Sequence, residues 1–233
     1  MTASQGERPH RPYVLLSCAI SVDGCLDDAS AHRLVLSSEA DLDRVDELRA
    51  GCDAILVGAG TIRRDDPRLV IRDPALQAAR AARGQQPDPA KVTLTATGNL
   101  DPEARFFTLG AAPRLVYCAS PAAAAARARL GGSAAVIDAG DPLRLSFVLA
   151  DLAERRMRRV LVEGGAQVLR RFLAGGLADE LQLVIAPFFV GEPAAPRFAG
   201  PGAYPHGQRD PMHLAEVRRI GELVLLRYLL SPG

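Results

Sequence analysis

The run Asp53-Ala-Ile-Leu-Val-Gly-Ala-Gly-Thr-Ile62 decides how the rest of the chain is read. Its first half is apolar without alternation, as in a strand covered on both faces of a parallel sheet. Gly58 and Gly60 follow at once, then a short helical stretch that stops at Asp65-Asp66-Pro67. The same order recurs where Arg159-Val-Leu-Val162 delivers Glu163-Gly164-Gly165 to a helix carrying Val168, Leu169, Phe172 and Leu173. A glycine at a strand-to-helix junction lets a phosphate approach the backbone, and the free N–H groups of the helix start can then bind it. Two such junctions suit a dinucleotide lying across the edge of one sheet. The pattern G-x-G-x-x-G is not met, because Arg63 stands in the place of the third glycine, so an ordinary Rossmann dehydrogenase is disfavoured.

Outward from these corners, strand and helix alternate. Tyr13 to Ile20 reads as a central strand ending in the turn Ser21-Val-Asp-Gly24, and Ser38 caps a helix with Leu42, Val45 and Leu48 on one side, closed by Gly51. Residues 73 to 90 read as a surface excursion. Strands are expected at Val92 to Thr95, Arg114 to Cys118 and Ala134 to Ile137, with helices over 121 to 130 and Leu143 to Arg155. A long strand from Glu180 to Pro187, a Pro/Gly-rich loop and a hairpin of Leu214 to Ile220 with Leu223 to Leu230 complete the chain. Helices between strands imply parallel pairing and the hairpin antiparallel pairing, so the expectation is an α/β fold with a mixed, mostly parallel sheet. Residues 1–11 read as a flexible tail and 12–233 as a single domain.

Composition narrows the function. The 233 residues are 48% hydrophobic with a net charge of +1, which supplies a core but no basic field for nucleic acid. Apolar runs are too short to cross a membrane, and the first twelve residues lack a secretory core, so a cytoplasmic location is expected. Four cysteines without a C-x-x-C pair and four scattered histidines give no metal site. Lys91 is the only lysine and follows Ala90, which excludes a Gly-Lys-Ser/Thr phosphate loop; it reads as a solvated residue before a strand. Asp23, Asp65, Asp66 and Glu163 lie at strand ends or beside glycines, where an acid or orienting group belongs, with solvation or capping as their plain alternative. Arg49, Arg68 and Arg72 offer forked donors to a phosphate or, equally, surface ion pairs.

Together, Arg11 to Gly24, Leu48-Arg49-Ala50, Asp53 to Ile62, Asp65-Asp-Pro-Arg-Leu69, Leu161-Val-Glu-Gly-Gly165 and Asp179-Glu180 through Ile185-Ala-Pro187 to Gly191 resemble the pyrimidine reductase family of riboflavin biosynthesis, in that family's order. The resemblance implies a dihydrofolate-reductase-like three-layer fold, a homodimer, and NADPH as reductant of the ribose of a phosphoribosylaminopyrimidine, a phosphorylated small molecule. It also implies that Gly58, Gly60, Thr61, Glu163, Gly164 and Gly165, with the adjoining Ala166 and with Ser37, contact the cofactor, and that Thr95 and Thr97 lie near the adenosine 2′-phosphate. By the same likeness Asp65 and Asp23 are the catalytic candidates, and Ser17, Arg49, Leu69 and Arg72 hold the substrate. Ser17 stands where members often carry Lys or Asn, Cys25 where Lys or Arg is common, and residues 31–35 replace a more polar segment. Reduction of a folate or pterin, or cofactor binding without catalysis, are the alternatives.

Overall fold

The computed structural model describes residues 11–30 and 34–230. The tail expected at the N-terminus therefore lies outside them for residues 1–10, as do Ala31 to Arg33 of the altered segment. One nine-stranded sheet runs through the molecule, made of β1 (Tyr13–Ser21), β2 (Ala54–Gly58), β3 (Ala90–Thr95), β4 (Arg114–Cys118), β5 (Ala135–Asp138), β6 (Arg159–Gly164), β7 (Glu180–Ala186), β8 (His213–Ile220) and β9 (Leu223–Leu229). Their order across the sheet is β5-β4-β3-β2-β6-β1-β7-β9-β8. Pairing is parallel from β5 through β7, and β9 runs antiparallel to both β7 and β8, so the mixed sheet with a terminal hairpin is as expected.

Helices cover both faces. α6 (Leu145–Glu154) and α7 (Ala166–Ala174) bury Val148, Leu149, Leu152, Leu169 and Phe172 against Leu16, Leu56, Val92 and Val162 on one side. The opposite face carries α1 (Glu39–Ala50), α2 (Ala59–Asp65), the single turn α4 (Arg105–Thr108) and α5 (Ser120–Leu130). There Ile62, Phe106, Phe107 and Leu130 pack on Ile55, Val57 and Val116. Every residue of β2 and β3 is buried, the consequence of two covered faces.

One expectation is extended and one corrected. The surface excursion over residues 73–90 contains a helix, α3 (Pro74–Ala82), capped by Asp73, whose side chain accepts the Ala75 N–H, with Pro74 in the first turn. It packs on α1 and buries Arg80, whose guanidinium donates to the carbonyls of Ala50 and Cys52. Lys91 is not solvated. Its side chain is fully buried, and Nζ donates to the carbonyls of Arg68 at 2.7 Å and Leu109 at 2.9 Å. Burial pushes its amine down to about 8.

Candidate active site

The two glycine corners stand side by side. β2 and β6 are neighbours, and Val57 pairs with Gly164 after a register shift that leaves Glu163 as the extra residue of a bulge. Gly58 is the N-cap of α2 and Gly165 that of α7, so neither helix start has a side-chain cap, and their first N–H groups are left for another acceptor. The corners also need glycine sterically. A Cβ on Gly58 would stand 2.9 Å from Val168 Cγ2, and Gly165, at φ +77°, would place one 3.2 Å from Thr61 Oγ1. This close-packed, side-chain-free ledge suits a pyrophosphate lying along the backbone.

Around it opens a cleft of about 740 Å³ across the carboxyl ends of β3, β2, β6 and β1. Of the residues singled out from sequence, it gathers Ser17, Ser37, Arg49, Gly58, Gly60, Thr61, Asp65, Thr95, Thr97, Glu163, Gly164, Gly165 and Ala166 on one surface. Arg49 reaches from α1 to make a forked pair with Glu163, Nε and Nη2 each 2.7 Å from a carboxylate oxygen, while Nη1 donates to the carbonyl of Val70. Burial opposes the charge on Arg49, but Glu163 and then Asp46 more than offset it, and the guanidinium stays ionised. Asp65 closes α2 with its Oδ1 buried and without a hydrogen bond, next to Arg64, which pairs with Asp27 across the cleft. Asp65 lines the cleft, and its buried Oδ1 lies 3.8 Å from Arg64 Nε, so a carboxyl group and a cation stand together at this wall.

Three of the sequence expectations lie elsewhere. Asp23, expected among the catalytic groups, does not line the cleft; its carboxylate accepts from Ser21 Oγ and from the N–H groups of Val190 and Gly191. Those bonds hold it below the usual carboxylate range, which makes it a clamp between the turn after β1 and the loop after β7 rather than an acid. Leu69, expected against the substrate, turns inward at φ +47° and packs in the core with Ile62 and Phe106. Arg72 lies outside the cleft lining, its guanidinium bound by Glu39, Asp43 and Asp46 of α1. Asp46 also lies 3.6 Å from Arg49, so Arg72 is one carboxylate removed from the cleft wall. Thr95 lines the cleft, although its hydroxyl is occupied in capping the next turn by accepting the Gly98 N–H.

Sequence reasoning passed over several arginines. Arg44 is buried and lines the cleft, with Nε on Asp41 at 2.7 Å, Nη1 on Gln182 at 2.7 Å and Nη2 3.5 Å from Ser17 Oγ. A cation therefore stands beside Ser17, supplied by α1 rather than by β1. Arg63, Arg170 and Arg171 line the cleft as well. The pattern Asp41-x-x-Arg44 was the available signal, since residues three apart on a helix face one another.

The model of the RibD C-terminal domain matches residues 12–226. Over 217 residues the chain is 32% identical to the 2,5-diamino-6-ribosylamino-4(3H)-pyrimidinone 5′-phosphate reductase of Archaeoglobus fulgidus, covering 91% of this chain and 95% of that protein. It is 35% identical over 182 residues to the protein of the same name from Methanothermobacter thermautotrophicus, covering 78% and 80%. Among solved structures, RibD of Acinetobacter baumannii superposes with a TM-score of 0.78 at 24% identity, over 96% of this chain and 59% of that one. A pyrimidine reductase-like protein from Corynebacterium diphtheriae does so at 0.76 and 22% identity, over 95% and 93%. At these identities the structural likeness speaks for the fold alone. Matched over most of its length by the family model and by relatives of similar size, the chain belongs to the RibD C-terminal domain family.

Proposed function

We propose that this chain is an NADPH-dependent reductase of a phosphorylated ribosylaminopyrimidine, converting its ribosyl group to ribityl in riboflavin biosynthesis. One observation carries the reading: two adjacent glycine ledges and the Asp65 carboxyl share a single cleft. Archaeal relatives named for this reduction supply the substrate class.

The residues present fit the cofactor. Its pyrophosphate suits the ledge of Gly58, Gly60, Gly164 and Gly165, with Thr61, Ala166 and Ser37 at its margins, and when bound it would supply a hydride to C1′ of the open-chain sugar imine. Asp65, or a water it orients, delivers the proton that balances the charge. Glu163 and Arg49 hold one another rigidly at the bulge and shape the wall against which the substrate lies. The row Arg49, Asp46, Arg72 leads from that wall to the surface, and Arg72 at its outer end takes the substrate phosphate. Glu39 and Asp43, the outer partners of Arg72, are 78% and 70% exposed, so exchanging them for a phosphate costs little.

On this reading residues 12–233 act as one reductase domain and the protein works as a homodimer. Exposed Leu214, Val217 and Val224 on the terminal hairpin supply apolar surface for a second copy. The four cysteines are buried and free, in keeping with a reducing cytoplasm, and no described helix is long and apolar enough to cross a membrane.

The test is NADPH oxidation with the diaminopyrimidinone phosphate, with its deaminated uracil counterpart and with dihydrofolate. Turnover of at least one pyrimidine is expected, and turnover of dihydrofolate alone would sink the proposal. Asp65→Asn should lower kcat by about a hundredfold or more, the scale of lost general acid catalysis, with NADPH affinity retained.

A further inference from the structure

A second cavity, of about 600 Å³, opens at the amino end of β3 and shares no lining residue with the cleft. Lys91 and Thr95 lie on one face of β3 and mark the two sites, about 13 Å apart along the strand. Arg68, offered by the sequence as a forked donor to a phosphate, lines this cavity and not the cleft. Its guanidinium has no hydrogen bond or ion pair among the described residues. Arg105 stands with it. The Arg105 Nε lies 3.2 Å from Asp66 Oδ2, while its two terminal nitrogens make no hydrogen bond among the described residues.

The walls of this cavity are fixed from within. Lys91 Nζ donates to the carbonyls of Arg68 at 2.7 Å, Leu109 at 2.9 Å and Arg105 at 3.5 Å, so one buried ammonium pins three lining residues. Gly110, at φ +70°, would place a Cβ 3.1 Å from Asp88 Oδ2 and 3.4 Å from Val70 Cγ1, so a side chain there would cut into the space. Buried Asp88 accepts the Ile71 N–H through Oδ1 at 2.8 Å and leaves Oδ2 without a hydrogen bond among the described residues. Two guanidinium forks and an ammonium against one lining carboxylate favour an anion that accepts forked donors, and the open Oδ2 favours a donor on the same molecule. A volume of this size suits a small metabolite.

We infer that this cavity binds a small phosphate monoester bearing an amino group, with the phosphate on Arg68 and Arg105 and the amine on Asp88, and that this ligand raises the affinity of the cleft for its pyrimidine. The route is the turn over residues 65–72. Asp66 accepts the Arg105 N–H and pairs with its Nε, and the adjoining Asp65 lines the cleft. A ligand that ties Arg68 to Arg105 through their unused nitrogens adds to these anchors and displaces none, so the turn tightens. The coupling rests on the reading of the cleft as the reductase site; the binding does not.

Calorimetric titration of O-phosphoethanolamine and of inorganic phosphate into the NADP-saturated wild type, Arg68→Ala, Arg105→Ala, Asp88→Asn and Arg72→Ala tests the site. One binding event should weaken about tenfold in Arg68→Ala and in Arg105→Ala, the scale of a lost charge-assisted contact, and hold within about twofold in Arg72→Ala. At that event the wild type should prefer phosphoethanolamine to phosphate, and Asp88→Asn should lose the preference. Both arginines are exposed, so melting temperatures serve as the folding control. No heat in the wild type, or anion binding that depends on Arg72 and not on Arg68, would overturn the site. Saturating phosphoethanolamine should also lower KM for the pyrimidine about fivefold in the wild type and not in Arg68→Ala, the lower end of coupling between distinct sites. Binding that leaves KM unchanged overturns the coupling. Absence of turnover with either pyrimidine while this binding persists overturns the reductase reading and leaves the second site standing.

Discussion

The glycine corners and the turn over residues 65–72 were both singled out from sequence as parts of one site, and the structure treats them differently. At the corners all the chosen residues meet in one cleft. In the turn, Asp65 faces the cleft, Leu69 faces the core and Arg72 faces the acidic side of α1. The corners are defined by backbone conformation, which a strand-glycine-helix order dictates locally. The turn is defined by long-range anchors: Asp66 accepts the Arg105 N–H, Lys91 donates to the Arg68 carbonyl, Asp88 accepts the Ile71 N–H and Asp46 accepts the Arg72 N–H. Two of its non-glycine residues, Asp66 and Leu69, have φ values of +40° and +47°, which such anchors must sustain.

The strongest test of that contrast removes the anchor. Lys91→Met deletes the donors to three carbonyls, those of Arg68, Arg105 and Leu109, while keeping the bulk of the stem, and should cost about 3 kcal/mol in chemical denaturation. Substrate KM should rise with it, because the turn loosens, while NADPH affinity holds. The effect also has a pH signature. In the folded protein burial lets Lys91 lose its proton near 8, against 10.5 for a solvated lysine, so the unfolded chain binds more protons between those limits. The stability of the wild type relative to Lys91→Met should therefore grow as pH rises from about 8 to about 10.5, by up to about 1.4 kcal/mol per pH unit. Taking the difference between the two proteins cancels the opposite trend from buried Cys18 and Cys52, whose thiols are pushed up to about 12 and about 11. A flat difference across that range would mean that the amine is solvated after all.

At the corner the perturbation is smaller and falls on ligand rather than on fold. Gly165→Ala forces an L residue to φ +77° and sets a methyl 3.2 Å from Thr61 Oγ1, for a cost of about 2 kcal/mol in stability. The methyl also occupies the ledge, so NADPH affinity should drop by more than tenfold with the substrate site intact. If affinity survives, the pyrophosphate lies elsewhere and the ledge is only a tight turn.

Much of this was legible in sequence because it is local. Continuous apolar runs marked the buried strands, Ser38 and Gly51 bounded α1, and Gly221 sits at the hairpin turn with φ +60°. What escaped depends on partners that spacing does not reveal. α3 was missed because Ala, Arg and Gln give it no broad apolar stripe, although Asp73-Pro74 is a start signal. α1 was read by Leu42, Val45 and Leu48, yet its most buried residues include Asp41, Arg44 and Asp46, made tolerable by ion pairs and by Gln182, 138 residues away. Lys91 was read as solvated because its acceptors, the carbonyls of Arg68, Arg105 and Leu109, lie 23, 14 and 18 residues distant. Charged residues can be buried wherever the fold supplies partners, and only the assembled fold shows which ones are.

Arg72→Ala gives the smallest expected effect and the sharpest comparison within the turn. Two of its three carboxylates are mostly exposed and contribute little, so the loss in stability should stay near about 1 kcal/mol, arising chiefly at buried Asp46. If the row from Arg49 to Arg72 holds the substrate phosphate, KM should nonetheless rise about tenfold with kcat and NADPH affinity unchanged, the cost of one forked contact. An unchanged KM would assign Arg72 to the architecture of α1 and leave the phosphate to the cations lining the cleft, of which buried Arg44 beside Ser17 is the first to replace. Arg44→Met would then raise KM where Arg72→Ala does not.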